Sequence, residues 1–272
     1  MAKSIFITGA SRGFGRIWAE AFLKRGDKVV ATARDLNTLN GLVNKYGENI
    51  LPIQLDVNDR TADFAAIIKA KDQFGSIDVL INNAGYGLFG SVEETSEKEA
   101  RDQIETNFFG LLWLSQAVIP VMREQGHGHI IQLSSVLGLV AIPVLGLYNA
   151  SKFAVEGLSE TLAAEVKGFG IKVSLIEPNG FSTDWAGPSA FHAQSMPEYD
   201  KVKADFHAGI TDDEFGDPVA TTDAVLKLID SEDPPLRLFL GKVAYQWVKQ
   251  AYDGRYAEWD KWNEVATAAH GH

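Results

Sequence analysis

The sequence predicts an α/β fold: a doubly wound parallel sheet with helices on both faces, in a single domain over residues 1–272. Three features carry that expectation. The apolar runs are short and nearly continuous, as strands buried on both faces are; helical patterns separate them; and a glycine-rich turn joins the first run to the first helix.

Taken in order, Ile5-Phe6-Ile7-Thr8 is the expected first strand, rich in the residues that suit a pleated, buried surface. The helix after it runs from Phe14 to Lys24 and closes at Arg25-Gly26-Asp27, where glycine provides a left-handed cap. Lys28-Val29-Val30-Ala31-Thr32-Ala33 is the second strand, Asn49-Ile50-Leu51-Pro52-Ile53-Gln54-Leu55 the third and Ile77-Asp78-Val79-Leu80-Ile81 the fourth. His129-Ile130-Ile131-Gln132-Leu133 and Lys172-Val173-Ser174-Leu175-Ile176 supply two more. Two regions stand outside the alternation. Residues 182–218 are polar and acidic yet carry Trp185, Phe191, Met196, Tyr199, Phe206 and Phe215, which fits a lid over a site. Residues 242–269 read as a helical extension, with Tyr245, Val248, Tyr252, Tyr256, Trp259 and Trp262 at spacings of three and four. Such a stripe is expected to pack on the body or on a second subunit.

Composition narrows the function classes. The chain has 25 Lys and Arg against 36 Asp and Glu, a net charge of −11, so its surface repels phosphate backbones and anionic lipid. Neither nucleic acid nor membrane is an expected partner. There is no cysteine, which removes disulfides, thiolate catalysis and cysteine metal sites. His127 and His129 flank Gly128 without a third ligand at metal-site spacing, so no metal is expected, and His270-Gly271-His272 reads as a tail. The N-terminus shows no signal-peptide pattern, and the longest apolar stretch, Val136 to Tyr148, is broken by Gly138, Pro143 and Gly146. The expected location is cytoplasmic.

The turn after the first strand is Thr8-Gly9-Ala10-Ser11-Arg12-Gly13-Phe14-Gly15. Glycines there let the backbone turn sharply and approach a ligand closely. The helix that follows offers unpaired N–H groups and the positive end of its dipole, which suit a pyrophosphate. The spacing is G-x-x-x-G-x-G rather than the better-known G-x-G-x-x-G.

Further motifs follow in order: Asn82-Asn83-Ala84-Gly85, Thr106-Asn107-Phe108-Phe109-Gly110, Ser134-Ser135, Tyr148-Asn149-Ala150-Ser151-Lys152 and Pro178-Asn179-Gly180-Phe181-Ser182-Thr183. With the glycine turn they make the chain resemble the short-chain dehydrogenase/reductase family over residues 4 to 185. The resemblance implies a Rossmann-type sheet and an oxidoreductase that moves a hydride between a nicotinamide and a ketone, aldehyde or secondary alcohol. It implies that Gly9, Ser11, Arg12, Gly13, Phe14 and Gly15 cradle the cofactor and that Asp56 and Val57 flank its adenine. Asn83, Ala84 and Gly85 would line the adenosine side, while Pro178, Phe181 and Thr183 would meet the nicotinamide end. Asn179 stands where the family usually has glycine, so a left-handed backbone relieved by Gly180 is expected there.

NAD-preferring folds of this type usually end the second strand on a carboxylate. Here Ala33 occupies that end and Arg34 follows, with Arg12 in the glycine loop. Two guanidiniums suit a 2′-phosphate, so NADP (NADPH) is the expected cofactor and NAD the lesser alternative. Asp35 is the counter-argument, since a strand one residue longer would bring its carboxylate to a ribose.

Tyr148 and Lys152, four positions apart, share one helix face. A free phenol titrates near ~10, and an adjacent ammonium favours the phenolate. Lowering the phenol to neutrality takes ~4 kcal/mol of differential stabilisation, which the lysine and a nicotinamide cation are expected to supply. Ser135, just past a strand end, would bond the substrate oxygen; the family spacing selects it over Ser134. By the same resemblance Asn107 would hold a water that relays protons to Lys152. Asn107, Ser135, Tyr148 and Lys152 are thus the candidate catalytic set. Leu137, Leu145 and Trp185, with Tyr86 and Phe89 nearby, are candidates for an apolar pocket wall, implying a hydrophobic carbonyl substrate. Two rivals are a non-catalytic NADP-binding sensor or scaffold and a sugar-nucleotide epimerase or dehydratase, whose larger C-terminal domain this chain lacks. The family commonly forms homodimers or homotetramers through the helices bearing Asn107 and Tyr148.

Overall fold

The computed structural model describes residues 2–187, 190–209 and 215–271. Of the expected lid, 188–189 and 210–214 lie outside the described residues, as does His272 of the tail. The first half of the chain runs β1 (Ser4–Ile7), α1 (Gly13–Arg25), β2 (Lys28–Ala33), α2 (Asn40–Tyr46), β3 (Ile50–Gln54), α3 (Arg60–Phe74) and β4 (Val79–Asn82). Next come β5 (Leu88–Phe89), α4 (Glu97–Ile104), α5 (Gly110–Gln125), β6 (Gly128–Leu133) and α6 (Gly146–Val166). The chain closes with β7 (Ile171–Pro178), β8 (Phe191–His192), α7 (Asp200–Ala208), α8 (Thr222–Asp230), β9 (Arg237–Leu240) and α9 (Ala244–Ala268).

Seven strands form one parallel sheet in the order β3-β2-β1-β4-β6-β7-β9. The six expected strands are present within two residues of their expected bounds. The seventh, β9, was not expected: Arg237 interrupts its apolar run, and only tertiary pairing of Arg237 to Leu240 with Leu175 to Pro178 makes it a strand. Side chains alternate between faces along each strand. Ile5, Ile7, Val29, Ala31 and Ile81 meet Trp18 and Phe22 of α1 and Val225 and Leu228 of α8. Phe6, Val30, Leu80 and Ile130 face Ile67 of α3, Leu114 and Val118 of α5 and Leu162 of α6. That is the doubly wound arrangement, with the strand order reversing between β1 and β4. Crevices for ligands open at such a reversal, beyond the carboxyl ends of the strands.

Local chemistry explains the element ends. Gly26 caps α1 at φ 95°, donating its N–H to the last carbonyls. Asp59 caps α3 by accepting from the Ala62 N–H, and Ser96 with Glu99 forms a capping box on α4. Between α4 and α5, residues 105–109 form one π-helical turn around Asn107, a distortion often found at functional sites.

Only part of the expected stripe of the C-terminal helix meets the body. Ala244, Trp247, Val248 and Ala251 form the face that meets the body, while Tyr245, Tyr256, Trp259 and Trp262 are all more than half exposed. At 25 residues, roughly 37 Å, α9 outruns the body after Arg255 stacks on Phe153 of α6 and on Tyr252. No helix among the described residues is long and apolar enough to cross a membrane.

Candidate active site

The carboxyl ends of β1 and β4 are stitched together by Thr8. Its hydroxyl accepts from the backbone N–H groups of Asn83 and Ala84, both at 2.9 Å, and the Asn83 amide donates back to the carbonyls of Thr8 and Gly9. Two glycines are indispensable to that closeness. Gly9 sits at φ +66°, and a Cβ on Gly15 would stand 2.4 Å from the Gly9 carbonyl oxygen and 2.5 Å from the Asn83 amide nitrogen. The result is an open cradle at the start of α1, whose first-turn N–H groups point into a cavity of about 570 Å³.

That cavity runs from Arg34, Asp56 and Val57 at one end to Ser135, Tyr148 and Lys152 at the other. Gly9, Ser11, Arg12, Gly13 and Phe14 line its middle, opposite Asn83, Ala84 and Gly85. Pro178, Phe181, Thr183 and Trp185 line its far wall. Most of the expected site residues therefore converge on one cleft. Gly15 lies beneath it, and Asn107 is buried under Tyr86, accepting from the Tyr86 N–H and donating to the Tyr86 carbonyl. Leu137 and Leu145 do not line the cavity; they are buried in the apolar cluster that backs Tyr148.

Arg34 is exposed at the rim, whereas Arg12 makes a 3.0 Å ion pair with Asp184 across the cleft. Asp35 accepts from the Asn37 N–H as a helix cap, which engages the carboxylate that competed with the arginines in the sequence reading. Asn179 does not adopt the expected left-handed backbone: Val144 is the one non-glycine at positive φ among the described residues. The room for Asn179 comes from Gly241, where a Cβ would meet the Asn179 side chain at 1.7 Å.

At the inner end, Tyr148 and Lys152 lie on α6 as neighbours, the ammonium 5.6 Å from the phenol ring centre. Lys152 donates to the Leu133 carbonyl at 2.7 Å, and Ser135 stands beside the Tyr148 hydroxyl. In the free protein Lys152 alone does not make the phenol acidic: burial pushes Tyr148 well above its ordinary value, and neighbouring Ser135 opposes this only in part. Burial also pulls Lys152 down to about 8, against the charge of Glu156. Gly85 separates Asn107 from Lys152; a Cβ there would stand 3.1 Å from the Asn107 oxygen and 3.9 Å from the lysine nitrogen.

An aromatic roof covers this end. Trp185 packs on Tyr148 with ring centres 4.9 Å apart, and on Phe89 at 5.5 Å. Phe206 of α7 adds to Phe89, and Phe191 tilts against Tyr86. The roof is anchored by β5–β8 pairing and by Lys203, which bonds the buried Glu94 carboxylate at 2.8 Å. The sequence reading missed Gly87, where a Cβ would strike the Trp185 ring at 2.5 Å. The recurrence of glycine at 85, 87 and 90 is the signal that could have marked a closely approached segment.

Comparison with known proteins agrees with this geometry. The family model for short chain dehydrogenase matches residues 3–192. The chain is 40% identical over 273 residues to oxidoreductase BOA17 of Botryotinia fuckeliana, covering 99% of this chain and 100% of that protein. It is 38% identical to the 3-ketodihydrosphingosine reductase of Bacteroides thetaiotaomicron, covering 87% of each. The crystal structure of a short-chain dehydrogenase from Streptomyces avermitilis superimposes with a TM-score of 0.90 at 36% identity, covering 98% of both chains. Similar solved structures hold either form of the cofactor. An alcohol dehydrogenase from Thermococcus sibiricus (26% identical, TM-score 0.75, covering 90% of this chain and 98% of that one) is complexed with 5-hydroxy-NADP. A 3-ketoacyl-(acyl-carrier-protein) reductase from Brucella melitensis (26%, TM-score 0.74, 88% and 96%) is complexed with NADH. The glycine cradle, the Ser135–Tyr148–Lys152 cluster and these matches agree: the chain belongs to the short-chain dehydrogenase family of nicotinamide-dependent oxidoreductases.

Proposed function

We propose that this protein is an NADP-dependent reductase of apolar ketones or aldehydes, able to run in reverse on secondary alcohols, with Tyr148 as its proton donor. The observation that carries this reading is the convergence of Ser135, Tyr148 and Lys152 at the inner end of a cleft whose outer end is the glycine cradle. When bound, NADPH supplies the hydride. The protein's own residues do the rest. First-turn N–H groups of α1 bind the pyrophosphate, Asp56 and Val57 bracket the adenine, and Pro178, Phe181 and Thr183 hold the carboxamide end. Ser135 donates to the substrate oxygen and stabilises charge developing there. The buried phenol of Tyr148 keeps its proton throughout the neutral range, which suits a donor to a reduced carbonyl. Lys152 replenishes that proton from behind, resupplied by a water that Asn107 would hold, and the roof of Trp185, Phe89 and Phe206 excludes water and favours an apolar substrate.

NADP preference belongs to the same reading. Arg34 is exposed at the outer end of the cleft, a setting that suits a 2′-phosphate, and Asp35 is engaged in capping. Arg34→Ala is therefore expected to weaken NADPH binding roughly tenfold to a hundredfold, the worth of one charge-assisted contact, and to leave NADH nearly unchanged. Titrating both cofactors by fluorescence checks this; equal losses for the two would remove the assignment. The whole reading is tested by following NADPH oxidation against aliphatic, aryl and long-chain ketones. Turnover of the apolar members supports it. Binding of NADPH with no turnover across the panel would favour a sensor on the same fold. Assembly as a homodimer or homotetramer through the helices bearing Asn107 and Tyr148 is part of the proposal, and light scattering in solution measures it.

A further inference from the structure

Behind the site lies a buried charged cluster that the mechanism above does not use. Three consecutive residues at the end of β6 each meet one residue of α6: the Leu133 carbonyl accepts from Lys152, Ser134 donates to Glu156 at 2.5 Å, and Ser135 stands beside Tyr148. Tyr148, Lys152 and Glu156 are spaced four apart, so they form one stripe along the helix. Gly138 makes the approach possible, because a Cβ there would meet the Ser134 oxygen at 2.7 Å and the Glu156 Cγ at 3.0 Å.

Glu156 is 5% exposed and Glu177, on β7, is wholly buried against it. Among the described residues neither Glu177 carboxyl oxygen accepts a hydrogen bond; Arg237 Nε stands 3.4 Å from one of them and 3.0 Å from Glu156. Two carboxylates in contact in a dry interior do not both ionise readily, which leaves the deeper Glu177 as the protonated member of the pair. Burial first, and Glu156 second, push the Glu177 carboxyl up to about 9, which agrees. The charges facing Lys152 and Glu156 are few. Helix α6 itself brings Glu160, β7 brings Glu177, and β9 brings Arg237, which bonds both Glu156 and Glu160. The β6 edge and the 105–109 turn bring the neutral Ser134, Ser135 and Asn107; the acids of α4, Glu99 and Asp102, act on Tyr86 instead.

We propose that Glu156 is a positioning residue for the proton-transfer pair, tying the Leu133–Ser135 edge to α6 and supplying, beside a neutral Glu177, the negative charge that keeps Lys152 an ammonium. The inference rests on the reading of Tyr148 and Lys152 given above. Loss of the Glu156 charge lowers Lys152 further below about 8, so its proton is lost at lower pH and ketone reduction fails earlier on the alkaline side.

The test compares pH profiles of kcat/KM and the titration of Lys152 by NMR in protein labelled with [13C]lysine, the resonance being assigned with Lys152→Arg. Glu156→Gln is expected to move both the alkaline limb and the Lys152 titration acidward by about one pH unit, a roughly tenfold loss of rate above the limb. Glu156→Asp keeps the charge but is too short for the Ser134 and Glu177 contacts. It is expected to lower kcat severalfold with the limb almost in place, and it keeps the test open if the glutamine variant does not fold. Glu177→Gln, an amide as neutral as the protonated acid, leaves the limb unmoved. A Glu156→Gln protein that titrates as the wild type does overturns the proposal, as does a wild-type kcat in Glu156→Asp or an acidward limb in Glu177→Gln. A shifted Lys152 titration in a protein without any turnover would sink the functional reading and leave this inference standing.

Discussion

Tyr148→Phe is expected to bind NADPH as the wild type does and to lose roughly 10²- to 10⁴-fold in kcat, the range for removal of a general acid. The change removes one oxygen and keeps the ring that packs on Trp185, so the aromatic roof should survive. Ser135 keeps its bonds, accepting from the Leu137 N–H at 3.1 Å and reaching the Pro178 carbonyl at 3.5 Å. Stability should therefore change little, and the loss should lie in the chemical step. Stopped-flow binding together with steady-state turnover separates the two. A variant with kcat within a few-fold of wild type would remove Tyr148 from the mechanism.

Gly15→Ala is expected to be as damaging, by a different route. The added Cβ would lie 2.4 Å from the Gly9 carbonyl oxygen and 2.5 Å from the Asn83 amide nitrogen. Neither group can step aside cheaply. The Gly9 carbonyl is backbone in a turn at positive φ, and the Asn83 amide is already committed to the carbonyls of Thr8 and Gly9. Overpacking of this kind costs about 1–3 kcal/mol, and here the strain falls on the turn that presents N–H groups to the pyrophosphate. NADPH affinity should drop about a hundredfold, measured by fluorescence titration. Gly157→Ala, on α6 with open space around its Cα, is the matched control and should leave affinity intact.

The sheet was legible because β1, β2, β3, β4, β6 and β7 are short apolar runs that need no partner to be recognised. The seventh was not, because Arg237 belongs to the Glu156 and Glu160 ion pairs and its alternation reads as a surface segment. The cofactor cradle could be read because its glycines answer to local backbone geometry. The pocket wall was harder. Leu137 and Leu145 look like wall residues in sequence yet turn into the core behind Tyr148, while Gly87 admits Trp185 from a segment nearly a hundred residues away. The acidity of Tyr148 depends on more than spacing. Helical spacing shows that an ammonium is near, but it does not show that phenol and ammonium are both buried, and in the free protein burial outweighs the neighbour.

The reading that Tyr148 passes its proton to the oxygen of a carbonyl whose carbon takes the cofactor's hydride is tested most directly by isotope. NADPH deuterated at its transferable C4 position, incubated with a ketone that the enzyme turns over, should deliver one deuterium to the carbinol carbon of the product. The same mixture with Tyr148→Phe should give almost none in the same time. A product without deuterium, or deuterium arriving at wild-type rate in the phenylalanine variant, would contradict it.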